Sequence, residues 1–246
     1  MSLYIIILIE DTHIEFVHYW FIDNIIFVKP HFNDNIQFLN LDDEIVSLKF
    51  TNHDQLENIK ESIKGNKYKA YNYLPYSKFN QPVDNLPPNI LNLTFGNSFN
   101  KNVDNLPHSI INLTFGHEFN KSVDNLPPLM QNLTFGWNFN CTIDNLPSSL
   151  LNLTFGYEFN QLIDNLPNSI ISINFCEIIL FFHQSKKIFD KQLNCLPNSI
   201  YEIKLPHNYD QEIIKIPLNL KKISCSSSYN YIDKLKINNI KIEIIN

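Results

Sequence analysis

The stretch Phe99-Asn100-Lys101-Asn102-Val103-Asp104-Asn105-Leu106-Pro107-His108-Ser109-Ile110-Ile111-Asn112-Leu113-Thr114-Phe115-Gly116 recurs along the chain at an interval of 20 residues. Phe79-Asn80, Phe99-Asn100, Phe119-Asn120, Phe139-Asn140 and Phe159-Asn160 open successive units, each followed by Val/Ile-Asp-Asn-Leu-Pro. Four units close on Asn-Leu-Thr-Phe-Gly, at Asn92, Asn112, Asn132 and Asn152. A fixed short period is the mark of a solenoid, in which each unit buries its apolar face only against its neighbours.

Within one unit only Leu113-Thr114-Phe115 alternates cleanly, which predicts a short strand with one buried and one wet face. Pro107 fixes φ and donates no hydrogen bond, so Asn105-Leu106-Pro107 reads as a corner. Gly116 follows the strand where the chain must turn sharply. Twenty residues leave no room for a full helix opposite the strand, so the back of each coil is expected to be extended or a short 3₁₀ turn. Six large apolar side chains contribute ~1.5–3 kcal/mol each on burial, against roughly 1–2 kcal/mol of backbone entropy per ordered residue. One coil cannot fold alone, and hydrogen bonds between parallel strands of successive coils must make up the difference.

The repeat continues past an insertion of ten residues: Phe189-Asp190, Leu196-Pro197, Tyr209-Asp210, Ile216-Pro217 and Tyr229-Asn230 restore the pattern. The insertion carries Ile178-Ile179-Leu180-Phe181-Phe182, which reads either as a bulge packed on the solenoid or as a docking patch. Upstream, Phe32-Asn33, Ile36, Leu39, Ile45, Leu48 and Phe50 form a worn copy, while Leu3 to Ile9 and Ile14 to Val28 read as strands capping the first coil. Leu56, Ile59 and Ile63 fall on one helical face ahead of Gly65, the one helix the sequence predicts. The expected organisation is an N-terminal cap over residues 1–78 and a solenoid over 79–246, with the insertion near 176–188. The fold class is mainly β: a right-handed solenoid of about eight 20-residue coils with an α/β cap.

A net charge of −6 without a basic stripe argues against nucleic acid as the main partner. Lys191, Lys204, Lys215, Lys221, Lys222, Lys234, Lys236 and Lys241 make the C-terminal quarter more basic, as a solubilising end cap would. No segment has the roughly 18–20 apolar residues of a membrane span, and Met1-Ser2-Leu3-Tyr4 lacks the positive start of a signal peptide. An intracellular monomer is expected, without cofactor or membrane partner. Cys141, Cys176, Cys195 and Cys225 are too far apart in sequence to suggest a zinc site or a disulfide framework. The chain has no Arg and a single Ala, Ala70, a bias typical of an AT-rich genome.

The units resemble FNIP repeats, relatives of leucine-rich repeats named for their Phe-Asn and Ile-Pro elements. The resemblance spans Phe79 to Ile170 strongly and Leu193 to Ile232 more loosely. It implies a leucine-rich-repeat-like fold and a protein-binding role. It also points to social amoebae and amoeba-infecting giant viruses, with a host or viral protein as partner and the host cytoplasm as the place of action. Many viral members carry an F-box ahead of the repeats and resemble ubiquitin-ligase adaptors. Residues 1–50 show no Leu-Pro-x-Glu start of that kind. A substrate-receptor role with a diverged F-box and a purely structural role stand as alternatives to a binding scaffold.

Candidate sites fall in columns. Asp84, Asp104, Asp124, Asp144 and Asp164 are expected to cap backbone N–H groups at the turn before Leu-Pro; calcium binding is disfavoured because the Gly-rich nonapeptide of β-rolls is absent. Asn100, Asn120, Asn140 and Asn160 are expected to form a ladder satisfying backbone groups of neighbouring bends. Asn92-Leu93-Thr94 and its copies match a glycosylation acceptor in form, read here as a by-product of the strand pattern. They lack the paired Thr-x-Thr of ice-binding solenoids. The position two before each Phe-Asn varies: Ser77, Asn97, His117, Trp137, Tyr157, Lys187 and His207. His117, Trp137 and Tyr157 thus form an aromatic strip across adjacent coils, either a binding site of hot-spot composition or a cover for the core edge. No nucleophile elbow, phosphate loop or metal-binding His pair occurs, so no catalytic residue and no metal ligand is assigned.

Overall fold

The computed structural model describes the backbone of four N-terminal strands and residues 79–86, 88–175 and 189–245. Those strands are β1 (Leu3–Ile9), β2 (His13–Tyr19), β3 (Ile25–Val28) and β4 (Ser47–Phe50). Each later coil adds one strand: β5 (Asn92–Thr94), β6 (Asn112–Thr114), β7 (Asn132–Thr134), β8 (Asn152–Phe155), β9 (Ser172–Phe175), β10 (Glu202–Lys204), β11 (Lys222–Cys225) and β12 (Lys241–Ile244). All twelve join one sheet in the order β12-β11-β10-β9-β8-β7-β6-β5-β4-β3-β1-β2. Every pairing is parallel except that of β1 with β2. The fold is a mainly β, leucine-rich-repeat-like solenoid.

The ladder holds its register while loop lengths change. Leu93 pairs with Leu113, Leu113 with Leu133 and Leu133 with Leu153. Across the insertion Ser172 still faces Glu202. Upstream, Leu48 faces Leu93 and Ile26 faces Leu48, so the worn copy supplies a true ladder strand and β3 joins the ladder as well. A one-residue slip would carry the apolar residues of a strand to its wet face, so extra residues collect in the loops.

Six apolar columns fill the interior, and in the coil opened by Phe99 they are Phe99, Val103, Leu106, Ile110, Leu113 and Phe115, all buried. The phenylalanines form two stacks. Phe99 lies 6.1 Å from Phe79 and from Phe119, and Phe115 lies 5.6 Å from Phe95 and 5.9 Å from Phe135. The stacks meet where Phe115 lies 3.7 Å from Phe119. Tyr209 and Tyr229 extend the first stack beyond Phe189. Their hydroxyls donate to the carbonyls of Lys191 and Gln211, at 3.1 and 2.9 Å, which is how a phenol is accommodated in a column built for Phe.

The back of each coil is a tight turn, with Ile110 N–H donating to Pro107 C=O at 3.2 Å and the same bond recurring at Met130, Leu150, Ile170, Ile200 and Leu220. The last coil departs from this pattern. Residues 229–245 contain no Leu-Pro corner, and a helix, Ile232–Ile237, takes its place. That helix corrects the expectation of a single helix near residues 54–65, a segment outside the described residues. Without proline, Ile232 and Leu235 can share an inward helical face, and Asn239 closes the turn at φ 57°, a left-handed conformation Asn tolerates. The insertion near 176–188, with Ile178 to Phe182, and Phe32-Asn33 of the worn copy also lie outside the described residues.

Candidate binding surface

The Gly-turn edge is built from the glycine outward. None of Gly116, Gly136 and Gly156 has a left-handed φ; a Cβ on any of them would lie 1.8–2.1 Å from the carbonyl oxygen of the glycine one coil earlier. Each glycine leads into the sharp turn expected after the strand, but it is the close approach of successive coils, not a left-handed φ, that requires glycine there. The tight stack lets the hydrogen-bond ladder run on past the strand. Glu118 N–H donates to Asn97 C=O, Asn138 N–H to His117 C=O and Glu158 N–H to Trp137 C=O, at 2.8–2.9 Å.

On that edge His117, Trp137 and Tyr157 stand half-buried in one file. The His117 and Trp137 rings are 5.6 Å apart at 17°, and Trp137 and Tyr157 are 4.4 Å apart at 32°. The structure thus brings together the three aromatic residues singled out by the sequence. Asn97 and His207 hold the matching positions of other coils, while Ser77 and Lys187 lie outside the described residues.

The Asn100 ladder is formed by side-chain carbonyls. Asn80, Asn100, Asn120, Asn140 and Asn160 each accept, through Oδ1, the backbone N–H of the residue one coil on, at 2.8–3.1 Å. These side chains are exposed or half-exposed.

The carboxylate column behaves differently from the expectation. Asp84, Asp104, Asp124 and Asp144 accept from the side-chain amides of Asn105, Asn125, Asn145 and Asn165 on the next coil, at 2.9–3.2 Å. Backbone N–H groups of the turn are instead met by the residue before Val-Asp, as when Asn102 Oδ1 accepts from Val103 N–H at 2.8 Å. The carboxylates are directed along the stack because the following Asn-Leu-Pro corner puts an amide donor there. Hydrogen bonds from Ser122 and Asn145 hold the Asp124 carboxyl below the usual carboxylate range. For Asp164 no such partner is found among the described residues. No group of three or more metal-binding side chains occurs among the described residues, and no described helix is long and apolar enough to cross a membrane.

The wet face of the sheet carries a second asparagine ladder that the sequence reading did not assign. Asn112, Asn132 and Asn152 donate their side-chain amides to the Asn92, Asn112 and Asn132 side-chain carbonyls. Identical Asn residues at strand positions paired one to one were the available signal. Toward the C-terminus the same column becomes Ser172, Glu202, Lys222 and Lys241. Lys222 Nζ lies 2.7 Å from Glu243 and 3.9 Å from Glu202, so Glu243 pushes the Lys222 ammonium up and Lys222 pulls the Glu243 carboxyl down. An open depression of about 420 Å³ lies at this transition, lined by Asn152, Ile171, Ser172, Ser199, Tyr201, Glu202, Asn219 and Lys221.

Parallel strands one coil apart, a Phe stack and rigid tight-turn edges define a leucine-rich-repeat-like solenoid whose surface is a set of residue columns. Residues 79–118, 119–157 and 141–177 match the model of the family described as FNIP Repeat, so this stretch is similar to FNIP repeats. Among solved structures the chain is similar to CroV588 from a giant virus, described as a novel circular LRR protein. The likeness has 29% identity and a TM-score of 0.61 and covers 83% of this chain. It spans 27% of that protein. No curated protein matches the chain.

Proposed function

We infer that the chain is a non-catalytic scaffold that binds another protein through the His117-Trp137-Tyr157 strip. The observation that carries this reading is the file of three contiguous half-exposed rings on an edge whose backbone is hydrogen-bonded coil to coil. Such an edge is preorganised, so little entropy is lost when a partner settles on it. Aromatic residues on rigid supports are the side chains that most often dominate binding energy at interfaces. The coil demands no aromatic residue here, since Asn97 occupies the same turn position.

The test is affinity capture from amoebal lysate with the wild-type chain beside a His117→Ala, Trp137→Ala, Tyr157→Ala variant whose circular dichroism matches it. A protein retained by the wild type and lost from the variant is the expected result. Equal retention by both would move the site elsewhere, with the depression beside Tyr201 next in line.

A further inference from the structure

The charge around the aromatic strip specifies its partner more narrowly than the strip alone. Residues 96–98, 116–118, 136–138 and 156–158 make up the Gly-turn edge of four consecutive coils, and Glu118 and Glu158 are their only acidic residues, with no Lys or Arg among them. Both glutamates follow an aromatic member of the strip directly in sequence, one at each end of the file. Among the described residues neither carboxylate takes part in an ion pair or a side-chain hydrogen bond, whereas Glu202, Glu212 and Glu243 all do. Two carboxylates with no ion-pair partner among the described residues thus adjoin in sequence a file of π systems, whose faces are themselves regions of negative potential.

The rings leave room for a guest. Near-parallel rings with centroids 5.6 Å apart are either offset or separated by more than the about 3.5 Å of full face contact. His117 and Trp137 are therefore not in full face-to-face contact, and both rings are half-exposed. Glu118 and Glu158 are two coils apart, roughly 10 Å at the spacing of paired strands. Alternate side chains of an extended peptide project from one face about 7 Å apart, and long flexible side chains make up the difference. A guanidinium lies flat on an aromatic face and forks onto a carboxylate, which a compact ammonium does less well.

Building on the proposed binding role of the strip, we propose that the Gly-turn edge takes an extended protein segment with closely spaced arginines. The guanidinium groups stack on the half-exposed rings of the strip and pair with Glu118 and Glu158.

The probe is a fluorescein-labelled peptide of alternating Gly and Arg, eight residues long, followed by fluorescence anisotropy against the full chain. Peptides with Lys or Glu in place of Arg serve for comparison. The expected result is saturable binding of the Arg peptide, weaker binding of the Lys peptide and none of the Glu peptide. Affinity should fall about ten-fold in Glu118→Gln, Glu158→Gln and again in Trp137→Ala. A charge-matched Asp144→Asn, Asp164→Asn variant should stay within about two-fold of wild type, which separates a located site from attraction by net charge. Equal affinity in the Glu118→Gln, Glu158→Gln variant and the charge-matched variant would overturn the proposal. So would failure of the Arg peptide to bind. If a lysate partner is nonetheless lost on replacing the three rings but kept by Glu118→Gln, Glu158→Gln, the strip remains the site and the cationic chemistry is wrong; if that partner survives loss of the rings, the site itself is wrong.

Discussion

A Cβ placed on Gly136 would lie 1.8 Å from the carbonyl oxygen of Gly116. No rotamer relieves that overlap, because the obstacle is backbone and the same approach recurs at Gly156. Gly136→Ala must therefore spread the coils locally. The expected cost is at least the ~1–3 kcal/mol typical of overpacking, read as a lower urea midpoint by circular dichroism. Tryptophan fluorescence should shift as well, because residue 137 follows directly.

Phe119 is fully buried and touches the rings of Phe99, Phe139 and Phe115. Phe119→Ala removes a member shared by both stacks and leaves a cavity that backbone hydrogen bonds prevent from collapsing. A loss of about 3–5 kcal/mol is expected. Leu129→Ala, at a side chain 60% exposed, should stay within about 0.5 kcal/mol of wild type. Chemical denaturation of the two variants side by side checks the contrast.

Asn120 Oδ1 accepts from Asn140 N–H at 3.0 Å and from Cys141 Sγ at 3.1 Å. A fully buried ladder would imply a loss of roughly 1–3 kcal/mol on Asn120→Ala through unsatisfied groups. Asn120 is exposed, so water can replace the lost acceptor and the expected loss falls to about 0.5–1.5 kcal/mol. Asn120→Asp keeps an acceptor oxygen, as Asp190 does at the same position of a later coil, and should retain most of the stability. The urea midpoints of the two variants decide the point.

Tyr209 and Tyr229 have their phenol pKa values raised, chiefly by burial. An acid whose folded pKa lies above its unfolded value holds more protons in the native state over the interval between them, so stability falls with rising pH there. Their contribution is complete below the ordinary phenol value of about 10 and is lost above it. The thermal midpoint of the wild type should drop progressively from about pH 10 upward. A Tyr209→Phe, Tyr229→Phe variant, which restores Phe to the column, should show a shallower drop even if its midpoint at neutral pH is lower for want of two hydrogen bonds.

How much was legible in the sequence differs from column to column. Leu113, Phe115 and Pro107 announce strand and corner because alternation and a fixed φ act locally, within a few residues. The Asp104 side chain was misread because its partner, Asn125, lies 21 residues away, beyond any turn rule. The Ile232–Ile237 helix was missed because its signal is an absence, the lack of Leu-Pro where every earlier described coil has a corner. Glu118 and Glu158 carried no signal of their own in a linear reading, since nothing in one coil says which charges on the next will be neutralised.

The 20-residue period by itself determined the parallel stack, the six core columns and the file of His117, Trp137 and Tyr157, because identical coils in register must place equivalent residues one above another. Only the tertiary structure decided what those columns do: that Gly136 is required by the carbonyl of Gly116, that Asp carboxylates bond along the stack, and that Glu118 and Glu158 form no ion pair among the described residues. Those are relations between coils across a gap of about 4.8 Å, and a distance of that kind exists only once the chain has wound.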